Sequence, residues 1–239
     1  QITGLPHLDP ELLQADPKPF LGYSDNTHIL NWMWNHGVAG FYGGSTQVHL
    51  GPGPSVDPIH LASLKAALLN GGELEITEPG ESEDFGRDWA DPLALTEFGE
   101  REPTEPWTWA GPARCVTGRT WGGCLEVMDE IAVADRTPSN EELEGGVLIL
   151  ETSEDLPSAD RVRWWMRALG DWAPGWVLVF MACCSARRRR RRSLRVQSGC
   201  GCVRGSSVRS RAAAVDSALR WRDHRRRCQS AHCRLVLTH

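Results

Sequence analysis

The sequence has no apolar run of membrane-spanning length and no charged, apolar leader, so neither a transmembrane helix nor a secretory signal can be read from it. Up to residue 180 it has only two cysteines, Cys115 and Cys124, which points to a reducing compartment. It lacks an initiator Met, and nothing ahead of Phe20–Tyr23 reads as a strand. An isolated strand makes no sheet, so the expectation is a domain whose front is absent. Residues 181–239 lack Lys, Glu, Ile, Phe, Tyr and Asn altogether.

What those residues do hold is 16 Arg against two acids, Asp216 and Asp223, and six of the eight Cys. Their balance of +14 within a chain of net charge −5 leaves −19 on residues 1–180. Three readings are open. An Arg-rich arm neutralises phosphates and binds nucleic acid. Cys200/Cys202 and Cys228/Cys233 with His224 and His232 are metal-ligand types, although Cys-x-Cys and Cys-x4-Cys fit no common zinc spacing. The third reading, which we prefer, is GC-rich DNA translated in the wrong frame. In each case the low apolar content and self-repelling charge predict disorder.

The rest of the chain alternates helical and strand patterns. Residues 6–16 read as a short helix with Asp9 as N-cap, Pro10 first and Glu11 in the opening turn. Residues 19–23 read as a buried strand, Asn26–Asn35 as a helix with Ile29, Leu30, Met33 and Trp34 on one face, and Val38–Tyr42 as a second strand. Strand, helix and strand in so few residues predict a parallel βαβ unit. Pro58–Asn70 is an amphipathic helix and Leu74–Thr77 a strand. Residues 78–113, rich in Glu, Pro and Trp, read as a long surface connection. A strand, a Gly-rich turn and a short helix follow in "ARCVTGRTWGGCLEVMDEI". Gly145–Asp155 is a buried strand ending on acids, Ser158–Gly170 an amphipathic helix, and Trp176–Cys184 another buried strand. The fold class is α/β: an incomplete parallel α/β N-terminal domain over residues 1–80, a linker over 81–113, a smaller mixed α/β C-terminal domain over 114–180, and the tail over 181–239.

Ser24 stands where a strand turns into a helix, and two chemistries fit it. As a cap, Ser or Asp satisfies the orphan amides of the first turn. As a nucleophile on a sharp turn, it presents Oγ above the sheet edge beside the positive helix terminus, and the Asp25 amide faces a developing oxyanion. Gly22 allows close backbone approach, but Asn26 departs from the full Gly-x-Ser-x-Gly pattern. Glu151 ends the strand "VLILE", where open α/β sheets build sites, and an acid there can orient an imidazole. Alone it reads equally as a solvated strand end. His28, His36, His49 and His60 read as surface or satisfied core side chains. Trp89, Trp107 and Trp109 either stack a flat ligand or plug a seam between domains.

"LDPELLQADPKPFLGYSDNTHILNWMWNHGVAGFYGG" resembles the nucleophile region of the LD-carboxypeptidase family of serine peptidases, and most of all its microcin C self-immunity branch. "VTGRTWGGCLEVMDEI" and "LEGGVLILETSEDLPSADRVRWWMRALG" resemble that family's second domain, and the likeness runs over about residues 1–170. The resemblance implies Ser24 as nucleophile, the Asp25 amide in the oxyanion hole and Glu151 as triad acid. It implies cleavage of an amide ahead of a C-terminal D-residue in murein peptides, or detoxification of peptidyl-nucleotide antibiotics. No cofactor or metal, a small peptide substrate, a possible homodimer and a bacterial cytoplasmic location go with it; nucleic acid and membrane partners do not. Three departures stand out. Cys124 replaces the Asn of the family's "GGNL" turn, the upstream Gly-rich loop is absent, and the stretch that should carry the triad His is the Arg/Cys tail. None of His224, His232 and His239 has the family's Gly-His context, so an inactive chain is expected. A non-catalytic peptide-binding module and a nucleic-acid binder acting through the tail are the alternatives.

Overall fold

The computed structural model describes residues 1–71, 75–83, 87–88, 90–104, 106–107, 117–153, 155, 157–172 and 177–181. The tail beyond residue 181, Leu74, Trp89, Trp109 and Cys115 lie outside these residues.

Asp9 caps helix α1, Pro10–Ala15, its carboxylate accepting from the amides of Glu11 at 2.9 Å and Leu12 at 3.2 Å. That is the role the Asp-Pro-Glu order predicts. Strand β1, Leu21–Gly22, passes through a 3-10 turn, Ser24–Asn26, into helix α2, Thr27–Asn35. Helix α2 ends at His36 and at Gly37, whose φ of +73° is the left-handed geometry glycine supplies after a helix. Strand β2, Phe41–Tyr42, then pairs parallel with β1, Leu21 opposite Phe41 and Gly22 opposite Tyr42. The expected βαβ unit is present, with shorter strands than the apolar runs suggest.

Helix α3, Pro58–Lys65, continues as a π-wound turn over Ala66–Asn70 that ends at Gly71. A second π-wound turn covers Thr46–Leu50. Neither change of winding has a sequence signature. Glu75–Thr77, the described part of the strand expected at residues 74–77, has no strand pairing. The acidic stretch expected as an irregular connection carries an antiparallel pair, β3 (Glu81–Ser82) with β4 (Glu102–Pro103). Arg101 fastens it, ion-paired with Asp57, with Glu81 at 2.9 Å and with Glu83 at 3.9 Å.

Strand β5, Thr120–Cys124, runs into helix α4, Leu125–Val133, with no turn between them. Where a Gly-rich turn was expected, "TWGGC" is instead strand β5 itself, and Gly122 and Gly123 lie inside it at φ +134° and +142°. After α5, Asn140–Leu143, strand β6, Val147–Glu151, pairs parallel with β5. Helix α6, Ala159–Trp172, leads to β7, Val177–Met181, parallel to β6 on its other side. The central strand β6 is nearly continuous in apolar residues because a parallel sheet is covered on both faces.

The core lies where α4 and α6 cover this sheet. Leu125, Met128 and Leu150 are 0% exposed, with Trp121, Ile131, Leu148, Trp165 and Leu169 around them. Trp165 and Leu169, with Val162 and Met166 packed beside them, form the core-facing side of the helix expected as amphipathic over Ser158–Gly170. Helix α2 joins the same body: Trp121 Nε1 donates to Asn31 Oδ1 at 3.0 Å, and Trp34 Nε1 donates to the Thr120 carbonyl at 3.0 Å.

Candidate active site

Ser24 is one of two described non-glycine residues in the left-handed region, at φ +55°. Tyr23 before it is fully extended, at φ −147° and ψ −178°, so the chain reverses sharply at the serine. A side chain pays for that conformation with roughly 1–2 kcal/mol of strain, so the neighbours must impose it. Gly22 permits the bend, because a Cβ there would lie 2.6 Å from Asn26 Cβ.

Two sets of hydrogen bonds fix Ser24 from opposite sides. Its carbonyl accepts from Thr27 Oγ1 at 2.6 Å, and Thr27 Oγ1 accepts from the Cys124 amide at 3.1 Å. Strand β5 is thereby tied to the first turn of α2. Its amide donates to the Tyr42 hydroxyl at 3.3 Å, and that hydroxyl donates to Glu151 Oε1 at 2.5 Å. Ser24 and Glu151, 127 positions apart in sequence, are therefore joined through one phenol.

The sheet register explains why Glu151 is there. Strands β5 and β6 pair Cys124 with Glu151 at the ends where both strands finish. Gly123 lets this end approach α2 and β2: a Cβ on it would lie 2.6 Å from Thr27 Cγ2 and 2.9 Å from Tyr42 Cε2. The two glycines of "TWGGC" thus serve close packing of the site. Burial and the adjoining Glu151 charge push the Tyr42 phenol well above the ordinary tyrosine range, which keeps it protonated.

Cys124 is a rival nucleophile by position, being directly across from Glu151. Its environment argues against that role. The residue is 1% exposed, its thiol donates to Glu126 Oε2 at 3.3 Å, and burial followed by the Glu126 charge pushes it up to about 12. Glu126 also accepts from Ser153 Oγ at 2.8 Å, closing the strand end.

The Asp25 side chain points outward, 57% exposed, with Oδ1 3.8 Å from His28 Nε2. Its amide lies in the opening turn, where helix N–H groups have no intrahelical acceptor. His28 is a core residue, 1% exposed, with Nε2 3.0 Å from Glu130 Oε2, and it ties α2 to α4. His36 Nδ1 lies 2.7 Å from the Trp32 carbonyl at the end of α2. His49 and His60 meet edge to face at 4.5 Å, and burial followed by the His60 charge lowers His49. Trp107 is 42% exposed, and its amide donates to Glu78 Oε1 at 2.8 Å. Among the described residues no group of three or more His, Cys, Asp or Glu could hold a metal ion.

Sequence reasoning singled out Ser24 and Glu151, which the structure joins through Tyr42, but not Tyr42 or Thr27 themselves. For Tyr42 the signal was an aromatic hydroxyl at the end of a strand just before Gly43-Gly44. For Thr27 it was a hydroxyl three residues after the serine.

Comparison with known proteins finds the same relatives that the sequence resembles. Residues 1–43 match the LD-carboxypeptidase N-terminal domain. Over 151 residues the chain is 30% identical to a Vibrio cholerae protein named as a carboxypeptidase, covering 62% of this chain and 43% of that protein. The microcin C7 self-immunity protein MccF in its apo state superposes with a TM-score of 0.60 at 24% identity, over 79% of this chain and 57% of that one. A second structure shows MccF in complex with aspartyl sulfamoyl adenosine. The MccF-like protein from Streptococcus pneumoniae in complex with AMP superposes with a TM-score of 0.61 at 17% identity, over 79% of this chain and 61% of that one. At such identities the structural likeness shows a shared fold. The chain spans about half the length of the relatives it matches.

Proposed function

We propose that this chain carries the nucleophile and the acid of an LD-carboxypeptidase-type serine hydrolase site. Ser24 is the nucleophile on a strand-to-helix elbow, the Asp25 amide is an oxyanion donor, and Glu151 is the acid that orients a base. The observation that carries the reading is Ser24 at φ +55°, hydrogen-bonded through Tyr42 to Glu151. A plain capping serine needs neither the left-handed backbone nor the carboxylate behind it. The fold supports the same reading.

In this scheme Ser24 Oγ attacks an amide carbonyl. The oxyanion forms beside the amides that open α2, where the helix dipole favours negative charge. A base takes the Oγ proton and returns it to the leaving amine. His28 lies against Glu130 and His36 on a backbone carbonyl, so neither is assigned as that base. His224, His232 and His239 lie outside the described residues, and none receives the role. Because none of those three has the Gly-His context that the resemblance calls for, the reading includes a chain that is catalytically silent by itself, arranged as two α/β units meeting at the site. A small peptide ending in a D-residue, or an aminoacyl or peptidyl nucleotide, is the substrate class, and the bacterial cytoplasm is the location. The MccF complexes favour the nucleotide conjugate. No described helix is long and apolar enough to cross a membrane.

A fluorophosphonate probe tests this reading. Modification should be slow and confined to Ser24, and Ser24→Ala should abolish it. Rapid modification of the chain would contradict the silent state, and probe on other serines with Ser24 untouched would remove the nucleophile assignment.

A further inference from the structure

We propose that Tyr42 is a positioning residue that locks the backbone of Ser24 and the carboxylate of Glu151 into one arrangement. The inference rests on the roles just given to Ser24 and Glu151. Its geometry is independent of them.

One oxygen does two opposite jobs. The Tyr42 hydroxyl accepts from the Ser24 amide at 3.3 Å and donates to Glu151 Oε1 at 2.5 Å. A neutral phenol has one proton to give and lone pairs to receive, so it satisfies both partners at once. Phenylalanine offers neither function. A phenolate still accepts from Ser24 but repels Glu151. Burial and the Glu151 charge hold the phenol in the neutral form that the bridge requires.

The surrounding chain is built to aim this oxygen. Tyr42 pairs opposite Gly22, two residues before the serine. The Gly43 amide donates to the Gly22 carbonyl and the Phe41 amide to the Phe20 carbonyl, each at 2.8 Å, which fixes the ring's origin. From the other side, Gly123 leaves room for the ring edge, since a Cβ would lie 2.9 Å from Cε2. Strands β1, β2, β5 and β6 therefore converge on one hydroxyl. The Ser24 amide, held by this bond, is the donor whose direction sets the left-handed turn. The same bond engages one carboxylate oxygen of Glu151 and so fixes the plane that the acid presents to a base.

Residue-resolved amide hydrogen exchange on the full chain tests the bridge. In Tyr42→Phe the Ser24 amide should exchange at least about tenfold faster, the loss of one part-buried hydrogen bond. The Phe41 and Gly43 amides, which report β1–β2 pairing, should stay within about twofold. In Glu151→Gln, whose side-chain oxygen still accepts from the phenol, Ser24 should keep its protection. Unchanged Ser24 exchange in Tyr42→Phe overturns the proposal. So does equal loss at Ser24, Phe41 and Gly43, because that describes packing alone. Should Tyr42→Phe fail to fold, Tyr23→Phe leaves Tyr42 the one tyrosine of the two in the chain. Its ultraviolet titration should then show a phenol still protonated above about pH 10, with Glu151→Gln shifting the midpoint downward. A midpoint near the free value, or one that Glu151→Gln does not move, overturns it. Probe chemistry at Ser24 enters neither readout, so an inert Ser24 leaves this result standing, and a failed bridge leaves the nucleophile test to be read separately.

Discussion

Gly122→Ala should abolish the paired strands of the site, whereas Gly145→Ala should leave them in place. Both glycines have positive φ, +134° and +72° respectively, so both substitutions strain the backbone. They differ in what the new methyl meets. At Gly145 nothing lies within 4 Å of the added Cβ, so the cost is the conformational strain of about 1–2 kcal/mol. At Gly122 the Cβ falls 1.9 Å from the Ile149 carbonyl oxygen, in the middle of the β5–β6 pairing. That oxygen is backbone and cannot rotate away, so β5 must separate from β6. Separation disrupts the Cys124–Glu151 end of the sheet and opens the core around Leu150. An added cost of roughly 3–5 kcal/mol is a large share of the 5–15 kcal/mol that holds a domain together. Thermal unfolding should fall by at least about 10 °C for Gly122→Ala and by about 3–6 °C for Gly145→Ala. Equal shifts would mean that "TWGGC" is not packed as described.

Native Cys124 should react with iodoacetamide at pH 8 about a thousandfold more slowly than the same thiol in the unfolded chain, as read by peptide mapping. Thiolate is the reactive species, and burial together with Glu126 raises this thiol from 9.0 to about 12. The sign for stability follows. An acid whose folded value lies above its unfolded value contributes its stability in full below the unfolded value. Between pH 9.0 and about 12 the unfolded thiol ionises while the folded one does not, so stability declines with rising pH. Tyr42 is raised as well and acts in the same direction from its ordinary 10.0 upward. A Cys124→Ala variant should lose part of that alkaline slope. Fast alkylation of native Cys124 would restore the cysteine as a competitor to Ser24.

The parts of this structure that were legible in the sequence are those set by neighbours in the chain. Asp9 caps α1, and Gly37 closes α2, because capping involves residues within a turn of one another. Trp165 and Leu169 face the core because helical periodicity selects them. Strand β6 was legible as an apolar run, although the run is read as reaching Asp155 and the strand ends at Glu151. What escaped was set across the chain. No local pattern says that Tyr42 reaches Glu151, 109 positions away, or that Thr27 receives the Cys124 amide. The glycines of "TWGGC" were read as a turn because glycine usually marks one. Here they are strand positions at which two other elements come too close for a Cβ. The strand expected at 74–77 failed in its described part, since a short apolar alternation forms a strand only where a partner strand lies beside it.

The most direct test of the central claim is chemical rescue of Ser24. If nucleophile and acid are in place and the general base is what the site lacks, free imidazole should supply it. General-base assistance contributes about 10²–10⁴-fold when the base is positioned, so a diffusible one should recover at least about tenfold. The rate of fluorophosphonate modification at Ser24 should rise with imidazole concentration, increase as pH passes about 6.5–7 and imidazole loses its proton, and vanish in Ser24→Ala. A Ser24 rate that imidazole leaves unchanged, equal to that of serines in the denatured chain, would contradict the account and return Ser24 to the role of a helix-capping residue.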